Sequence, residues 1–565
     1  MMKKWFKSGE PMIWLNAAAV SISLIIVIGL ISLIAIRGLG HFWPKAVIEA
    51  TYIAPIANQK ANKDDLSIKL LGEIHDSETV SIENLKEIGL VFDTDDIAIK
   101  RSLIKTGNRD ISGSDFKWAY DTFLDNTHYP TNVITIERRE WGNFYGYLNS
   151  IIENGKQVAN KDSNTGNDTL WQELKVRLER VLELHDEIRE IEKGTIGNIN
   201  YKIERLRLKE HSLKLNNVSD KASYEKIYKE RQTLQKTYED LQGKLIALHK
   251  DIKRDALVAT TANGKKVTIN LENIVRTYRS NNLNLIQKIS LYIERLWEFV
   301  SDEPREANTE GGIFPAIFGT VMMVLIMAML VTPFGVIAAV YLHEYAKQGP
   351  LTRTIRIAVN NLAGVPSIVY GIFGLGFFVY FLGGNIDQLF YPEASPAPVF
   401  GTPGILWSSL TLAIITLPVV IVATEEGLSR IPRAIREGSL ALGATKAETL
   451  WRTVIPMATP SMMTGLILAV ARAAGEVAPL MLVGVVKLAP SLALDGNAPF
   501  LHLERKFMHL GFHIYDVGFQ SPNVEAARPL VYATALLLVV IIVALNLSAI
   551  YIRNRLREKY KAMDT

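Results

Sequence analysis

The stretch EEGLSRIPRAIREGSLALGATKAETLWRTVIPMATP, residues 425–460, decides how the rest of this chain is read. Pro432 stands where a helix can begin, because a proline there gives up an N–H that would have no partner anyway. Residues 433–442 read as that helix, and Gly443 can take the left-handed conformation that ends it. Thr445 followed by Glu448 has the capping-box spacing for a second short helix, 446–453, which Pro456 is expected to stop. Helix, glycine turn, helix makes a compact rigid knob. A membrane protein needs such a knob if a soluble engine is to push or pull it.

The knob lies between apolar runs. The chain of 565 residues is 48% hydrophobic yet 21% charged, so the apolar residues must be concentrated, and they are. The runs 12–36, 313–342, 357–382, 404–424, 460–486 and 530–551 are each long enough to cross a hydrocarbon core of about 30 Å at about 1.5 Å per residue. The first follows Lys3, Lys4 and Lys7, as a secretory signal would. It is too long for a signal core and no small-residue cleavage site follows, so it reads as a retained anchor.

Basic residues orient the spans. Lys347, Arg353 and Arg356 lie between the second and third; Arg430, Arg433, Arg436, Lys446 and Arg452 between the fourth and fifth; Arg553, Arg555, Arg557, Lys559 and Lys561 after the sixth. The loop 383–400 has acids and no base. Both termini and the knob are therefore expected in the cytoplasm, with residues 37–312 and 487–528 outside. The expected fold class is a polytopic α-helical membrane protein with six transmembrane helices and an inserted α+β and coiled-coil domain. Its parts are 1–36 (tail and first helix), 37–312 (outer domain), 313–552 (core with coupling loop 425–457) and 553–565 (basic tail).

Within the outer domain, residues 64–150 alternate as strands do in VITIERREW, with turn signals such as SGSD. From Thr169 the pattern becomes helical, and between Tyr224 and Ile252 it is a heptad. Ile227, Leu234, Leu241 and Leu248 form one row; Tyr224, Tyr238, Leu245 and Ile252 form the other, with Arg231 its polar exception. Leu174, Leu178, Val181, Ile188 and Ile191 upstream supply an antiparallel partner, so 169–254 reads as a helical hairpin, either a docking arm or an element that buries its own seam. ALVATTANGKKVTINL follows as a β-hairpin turning at Asn263-Gly264.

Several chemistries are excluded. Cysteine is absent, which removes disulfides and thiol redox work. No phosphate-binding G-x-x-x-x-G-K-[ST] loop occurs, so ATP and its magnesium would have to be bound by another chain, and this chain carries no cofactor and no catalytic residues. No basic patch on a folded domain points to nucleic acid. His509 and His513 at i, i+4 spacing, with His502 and Asp516 nearby, could share a metal; the aromatic surroundings favour an amphipathic segment at the membrane interface instead. Gly371, Gly374 and Gly376 read as close helix packing, and Glu425 and Glu426, at the end of a span, as facing water.

ARAAGEVAPL, residues 471–480, puts Arg472 and Glu476 one turn apart inside an apolar run. Each charge costs a few kcal/mol or more at the bilayer centre, so such a pair is a functional candidate by default. Arginine offers a fixed charge and a planar donor fork suited to phosphate oxygens. Glu476 at i+4 can neutralise it between passages. The competing reading is a static salt bridge.

Glu437, Gly438, Ser439, Gly443, Ile455 and Pro456 resemble the EAA loop of ABC importer permeases, with Gly-Ser in place of Ala-Ala; both replacements are small, so a close helix contact is expected to survive. NNLAGVPSIVYGIFGLGFF at 360–378, ALGATKAETLWRTVIP and ARAAGEVAPL resemble the PstA-type permeases of phosphate ABC transporters. EPREANTEGGIFPAIFGT and FMHLGFHIYDVGFQSPNVEAARPL resemble variants with a large outer insertion after the first span. The resemblance covers 303–552. It implies a heterodimer with a PstC-like permease, two copies of a cytoplasmic ATPase subunit, and a periplasmic phosphate-binding protein, all in membrane lipid. It makes the loop residues a coupling surface and Arg472 and Glu476 part of the phosphate pathway. Molybdate, sulfate or phosphonate permeases are the neighbouring alternatives. A membrane sensor using the coiled hairpin is a third class, although no cytoplasmic signalling domain is in sight.

Overall fold

Lipid offers backbone N–H and C=O groups no partners, so apolar runs in it become helices. The computed structural model describes residues 10–53, 67–87, 96–160, 167–218, 220–521 and 524–561. Lys3, Lys4 and Lys7 and the end of the basic tail, 562–565, lie outside the described residues. Among the described residues six helices are long and apolar enough to cross a membrane: Met12–Gly40, Phe314–Tyr345, Ser367–Phe390, Ile405–Ser429, Lys446–Gly475 and Ala527–Glu558. The chain divides into two compact units, one of residues 1–41, 299–303 and 307–565, the other of 42–298 and 304–306.

The membrane unit begins with α1 (Glu10–Gly40), whose side chains are exposed on nearly every side, as suits a helix solvated by lipid.

The second unit holds two antiparallel sheets. The first runs in the order β4-β3-β2-β1-β5, from β1 (Val47–Ile53), β2 (Ser67–Ser81), β3 (Ala98–Lys105), β4 (Phe116–Tyr120) and β5 (Leu124–His128). The other runs β10-β9-β7-β6-β11 with β8 on β7, from β6 (Val133–Arg138), β7 (Phe144–Glu153), β8 (Lys156–Asn160), β9 (Asp255–Thr260), β10 (Lys266–Asn270) and β11 (Ile274–Tyr278). Between β9 and β10 the chain turns at Gly264, whose φ of 77° favours a residue without a Cβ.

Helices α2 (Asn167–Arg189) and α3 (Gly197–Leu215), joined through a π turn, fold back on α4 (Lys221–Ile252). Of the heptad, Ile227, Leu245, Leu248 and Ile252 are buried, and Leu234, Tyr238 and Leu241 half-buried. Arg231 stays exposed, 3.7 Å from Glu210. At the base, Leu245, Leu248 and Ile252 share one core with Leu174, Leu178 and Val181 and with Ile134, Phe144 and Leu257 of the sheet. The chain fills its own seam.

Below α5 (Leu285–Ser301) lies a network of charges. Glu137 takes Arg295 and, at 2.8 Å, Arg276; Arg276 also reaches Glu298 at 3.0 Å.

The membrane unit resumes with α6 (Phe314–Val340), which ends in a π turn, Tyr341–Tyr345. Then come α7 (Pro350–Leu362), α8 (Ser367–Phe373) running through a π segment into α9 (Gly384–Phe390), and α10 (Ile405–Ser429). The knob is α11 (Arg433–Ala441) and α12 (Lys446–Thr449); α13 (Ile455–Gly475), α14 (Leu480–Val483), α15 (Leu510–Tyr515) and α16 (Val524–Lys561) complete the unit. Met323, Met327, Leu412, Ile415, Ala469 and Ala473 make a core between α6, α10 and α13. A Cβ added at Gly465 would lie 2.6 Å from that of Ala423, so α13 and α10 meet through small residues. Ser409 donates to the Met323 carbonyl at 3.2 Å, a polar lock between spans.

Four readings of the sequence need correcting. The run 357–382 is not one span: α7 ends at Leu362 and a new helix starts at Ser367, because Pro366 keeps the residue before it out of the helical region. The run 460–486 breaks after Gly475, upstream of Pro479. Pro456 stops nothing. A π turn, Leu450–Val454, absorbs it, so helix runs without interruption from Lys446 to Gly475. The loop after α14 is no interfacial segment but a packed one: Leu510 N–H donates to Thr320 Oγ1 at 3.0 Å, and His509, His513 and Asp516 are buried.

Candidate functional site

The knob is built as its residues dictate. Gly443 has φ 90°, closing α11, and Thr445 and Glu448 cap α12 reciprocally. Ser439 Oγ and Thr449 Oγ1 meet at 2.9 Å and tie the two helices together. Gly438 makes no close contact, since a Cβ added there would meet open space; the expected tight approach belongs to Ser439 instead. Glu437 is exposed, and Ile455 and Pro456 are half-buried where the knob passes into α13. On its outer surface the knob shows three large apolar side chains, Leu440, Leu442 and Trp451, with Leu442 91% exposed. Their spacing carries no motif, and nothing in the residues alone marks them.

Beneath the knob, cations converge on the π turn that ends α6. Arg436 donates to the carbonyls of Ile431 at 2.8 Å and Leu428 at 2.7 Å, and reaches Glu344 Oε1 at 3.1 Å. Lys446 of α12 donates to the Glu344 carbonyl and lies 4.5 Å above the Tyr345 ring. Glu425, expected to face water, is half-buried with Arg356 at 3.4 Å, while Glu426 is exposed. A carboxylate one turn inside a span end finds a cation on a neighbouring helix more readily than it finds bulk water.

At the far end of α13, Arg472 Nε stands 3.5 Å from Glu476 Oε1, both half-buried. The pair is not carried on one helical face. Glu476 is already extended, with ψ 131°, and begins the unwound segment that ends at Pro479. Arg472 sits in the last turn of α13, where a cation complements the carbonyl end of the helix. The unwound segment is held from one side by α8, since a Cβ at Gly371 would lie 2.7 Å from Pro479 Cα. Gly374 also packs closely, against Thr411 and Val483, whereas Gly376 faces open space. One continuous helix thus joins the knob to the charged pair, about 25 Å from Ile455 to Arg472 at about 1.5 Å per residue.

The histidines of the packed loop are engaged locally. His509 Nδ1 accepts from Gly511 N–H at 3.1 Å, and burial lowers His509 and His513 to about 4, so both are neutral near pH 7. His502 lies between Asp495, at 3.0 Å, and Glu504, at 3.2 Å. Among the described residues no group of three or more histidine or acidic side chains is placed to hold a metal ion.

Residues 331–558 match the family described as binding-protein-dependent transport system inner membrane component. The phosphate transport system permease protein PstA 1 of Mycobacterium tuberculosis is 35% identical over 247 residues, 43% of this chain and 71% of the relative. The chain belongs to the PstA-type permeases. A probable PstA of Methanocaldococcus jannaschii is 28% identical, over 46% of this chain and 82% of its own. The probable PstC of the same organism is 29% identical, over 50% and 88%. A PstA-type permease is a multi-pass membrane subunit of an ABC transporter and not an enzyme; a partner chain carries the ATPase.

Proposed function

We propose that this permease passes inorganic phosphate into the cytoplasm, in a complex with a PstC-like permease, two copies of a cytoplasmic ATPase subunit that binds ATP and magnesium, and a periplasmic phosphate-binding protein. The observation that carries the reading is the Arg472–Glu476 pair at the unwound end of a helix whose other end is the knob. The names of the relatives support phosphate as the substrate.

Phosphate is strongly hydrated, and a path for it must replace water with donors and positive charge. Arg472 provides both; Glu476 neutralises it at rest and gives it up as the anion passes. Because Glu476 sits on unwound backbone, its carboxylate can swing away without moving the helix. The knob residues Glu437, Gly438, Ser439, Gly443, Ile455 and Pro456 form the coupling surface, with Leu442 and Trp451 as its apolar anchors. The basic flanks of the spans support a cytoplasmic knob and cytoplasmic termini, with residues 37–312 in the periplasm.

The test is uptake by the reconstituted four-component complex. Phosphate should stimulate ATP hydrolysis and enter, with molybdate, sulfate and phosphonate far behind. Equal uptake of another oxyanion, or transport by this chain without an ATPase, would refute the reading.

A further inference from the structure

We infer that Glu344 is the positioning residue through which the knob is coupled to the rest of the membrane unit. The inference rests on the knob's being the ATPase-docking element. Glu344 lies in the π turn Tyr341–Tyr345, outside every motif by which the knob is recognised. Its side chain is 11% exposed and takes Arg436 of α11 at 3.1 Å, and its backbone carbonyl takes Lys446 of α12. Both arms of the knob are thereby fastened to one residue of a different span. The adjacent Tyr345 ring lies under the same Lys446 ammonium. Two positions before Glu344, the Leu342 carbonyl takes Arg356 of α7 at 3.1 Å, and Arg356 in turn meets Glu425 of α10.

Four elements therefore meet at this turn: α6, the knob, α7 and α10. The apolar contact under the knob points the same way, since Leu428, Ile431, Leu450 and Val454 pack with Val336 and Val340 of α6. A displaced knob that kept only its covalent links would act on α10 and α13 alone. Fastened through Glu344, it carries α6 with it, and through Arg356 the α7 segment that precedes α8. Spatial adjacency is not coupling; a change in stoichiometry is. The geometry assigns Glu344 no contact with substrate, only the task of making knob and spans move as one body.

The experiment uses the full complex in proteoliposomes and measures phosphate taken up per ATP hydrolysed. Glu344→Gln should leave the ATPase subunit bound and ATP hydrolysis within about twofold of the parent, while uptake per ATP falls about tenfold, the scale of a single coupling contact. Glu344→Asp should restore most of the loss. Arg436→Gln should cost a similar factor, and the double variant little more than either single one. Should Glu344→Gln not assemble, Lys446→Met tests the same clasp from the other side and should uncouple likewise. Unchanged uptake per ATP in Glu344→Gln or Lys446→Met, or full additivity in the double variant, overturns the inference. If Leu442→Asp leaves the ATPase bound, the docking reading has failed; if it releases the ATPase while the clasp variants stay coupled, only the role of Glu344 has failed.

Discussion

Arg472 Nε lies 3.5 Å from Glu476 Oε1, yet the two residues do not share a helix, because α13 ends at Gly475 and the backbone of Glu476 is extended. A pair on one helical face opens by side-chain rotation alone; on unwound backbone the acid can withdraw further. Here only the acid needs to move. Arg472→Gln should therefore lower uptake by roughly a hundredfold, the scale on which a buried anion donor is missed, with assembly intact. Glu476→Gln should leave a charge with nothing to displace the anion, giving tighter phosphate retention and a lower maximal rate. Normal uptake by either correctly assembled variant would make the pair a structural brace.

The knob exposes two large apolar groups, Leu442, which lies outside the candidate spans, and Trp451, near the start of Lys446–Gly475. A tryptophan that anchors a docking surface contributes about 2 kcal/mol or more. Trp451→Ala should weaken the hold of the ATPase subunit by roughly thirtyfold, and Leu442→Asp should abolish it in pull-down from detergent. Retention of the ATPase by Leu442→Asp would place the docking surface elsewhere.

Much of this was legible in the residues. Six apolar runs gave the spans, and Pro432, Gly443, Thr445 and Glu448 gave the knob, because lipid and helix caps impose local requirements that single residues meet. Where the reading failed, local backbone geometry or a distant partner decided. Pro456 looked like a stop until a π turn accommodated it. Arg472 and Glu476 looked like helical neighbours because spacing says nothing about where a helix frays before a proline. Glu344 carries no pattern, and Arg436 and Lys446 only that of a basic flank; the separation from 344 to 446 is bridged only by packing.

The packed loop makes the membrane unit sensitive to acid. His509 and His513 have a usual value of 6.5, lowered by burial to about 4. Between those values the unfolded chain binds protons that the folded one refuses, so stability is full above about pH 6.5 and falls as pH drops toward 4. The melting temperature of the purified complex should fall over that window. The double variant His509→Asn, His513→Asn, which keeps a polar group near each Nδ1, should flatten the slope. An equal slope in variant and parent would show that other groups carry it.

A second acid response belongs to the other unit. Burial alone would raise the Glu137 carboxyl, but the guanidiniums of Arg295 and Arg276 overcome it and hold the value down at about 2, from a usual 4.5. The stabilisation is present above about pH 4.5 and is lost as pH falls toward 2. Glu137→Gln removes one partner and leaves two arginines, each less than a fifth exposed, without their shared anion. Breaking a buried pair from one side costs about 3–5 kcal/mol. In the full-length protein, limited proteolysis between residues 42 and 298 should accelerate sharply at neutral pH in that variant. Resistance equal to the parent's would mean that Glu298 and Glu294, which also reach Arg276 at 3.0 and 2.9 Å, suffice to hold the network.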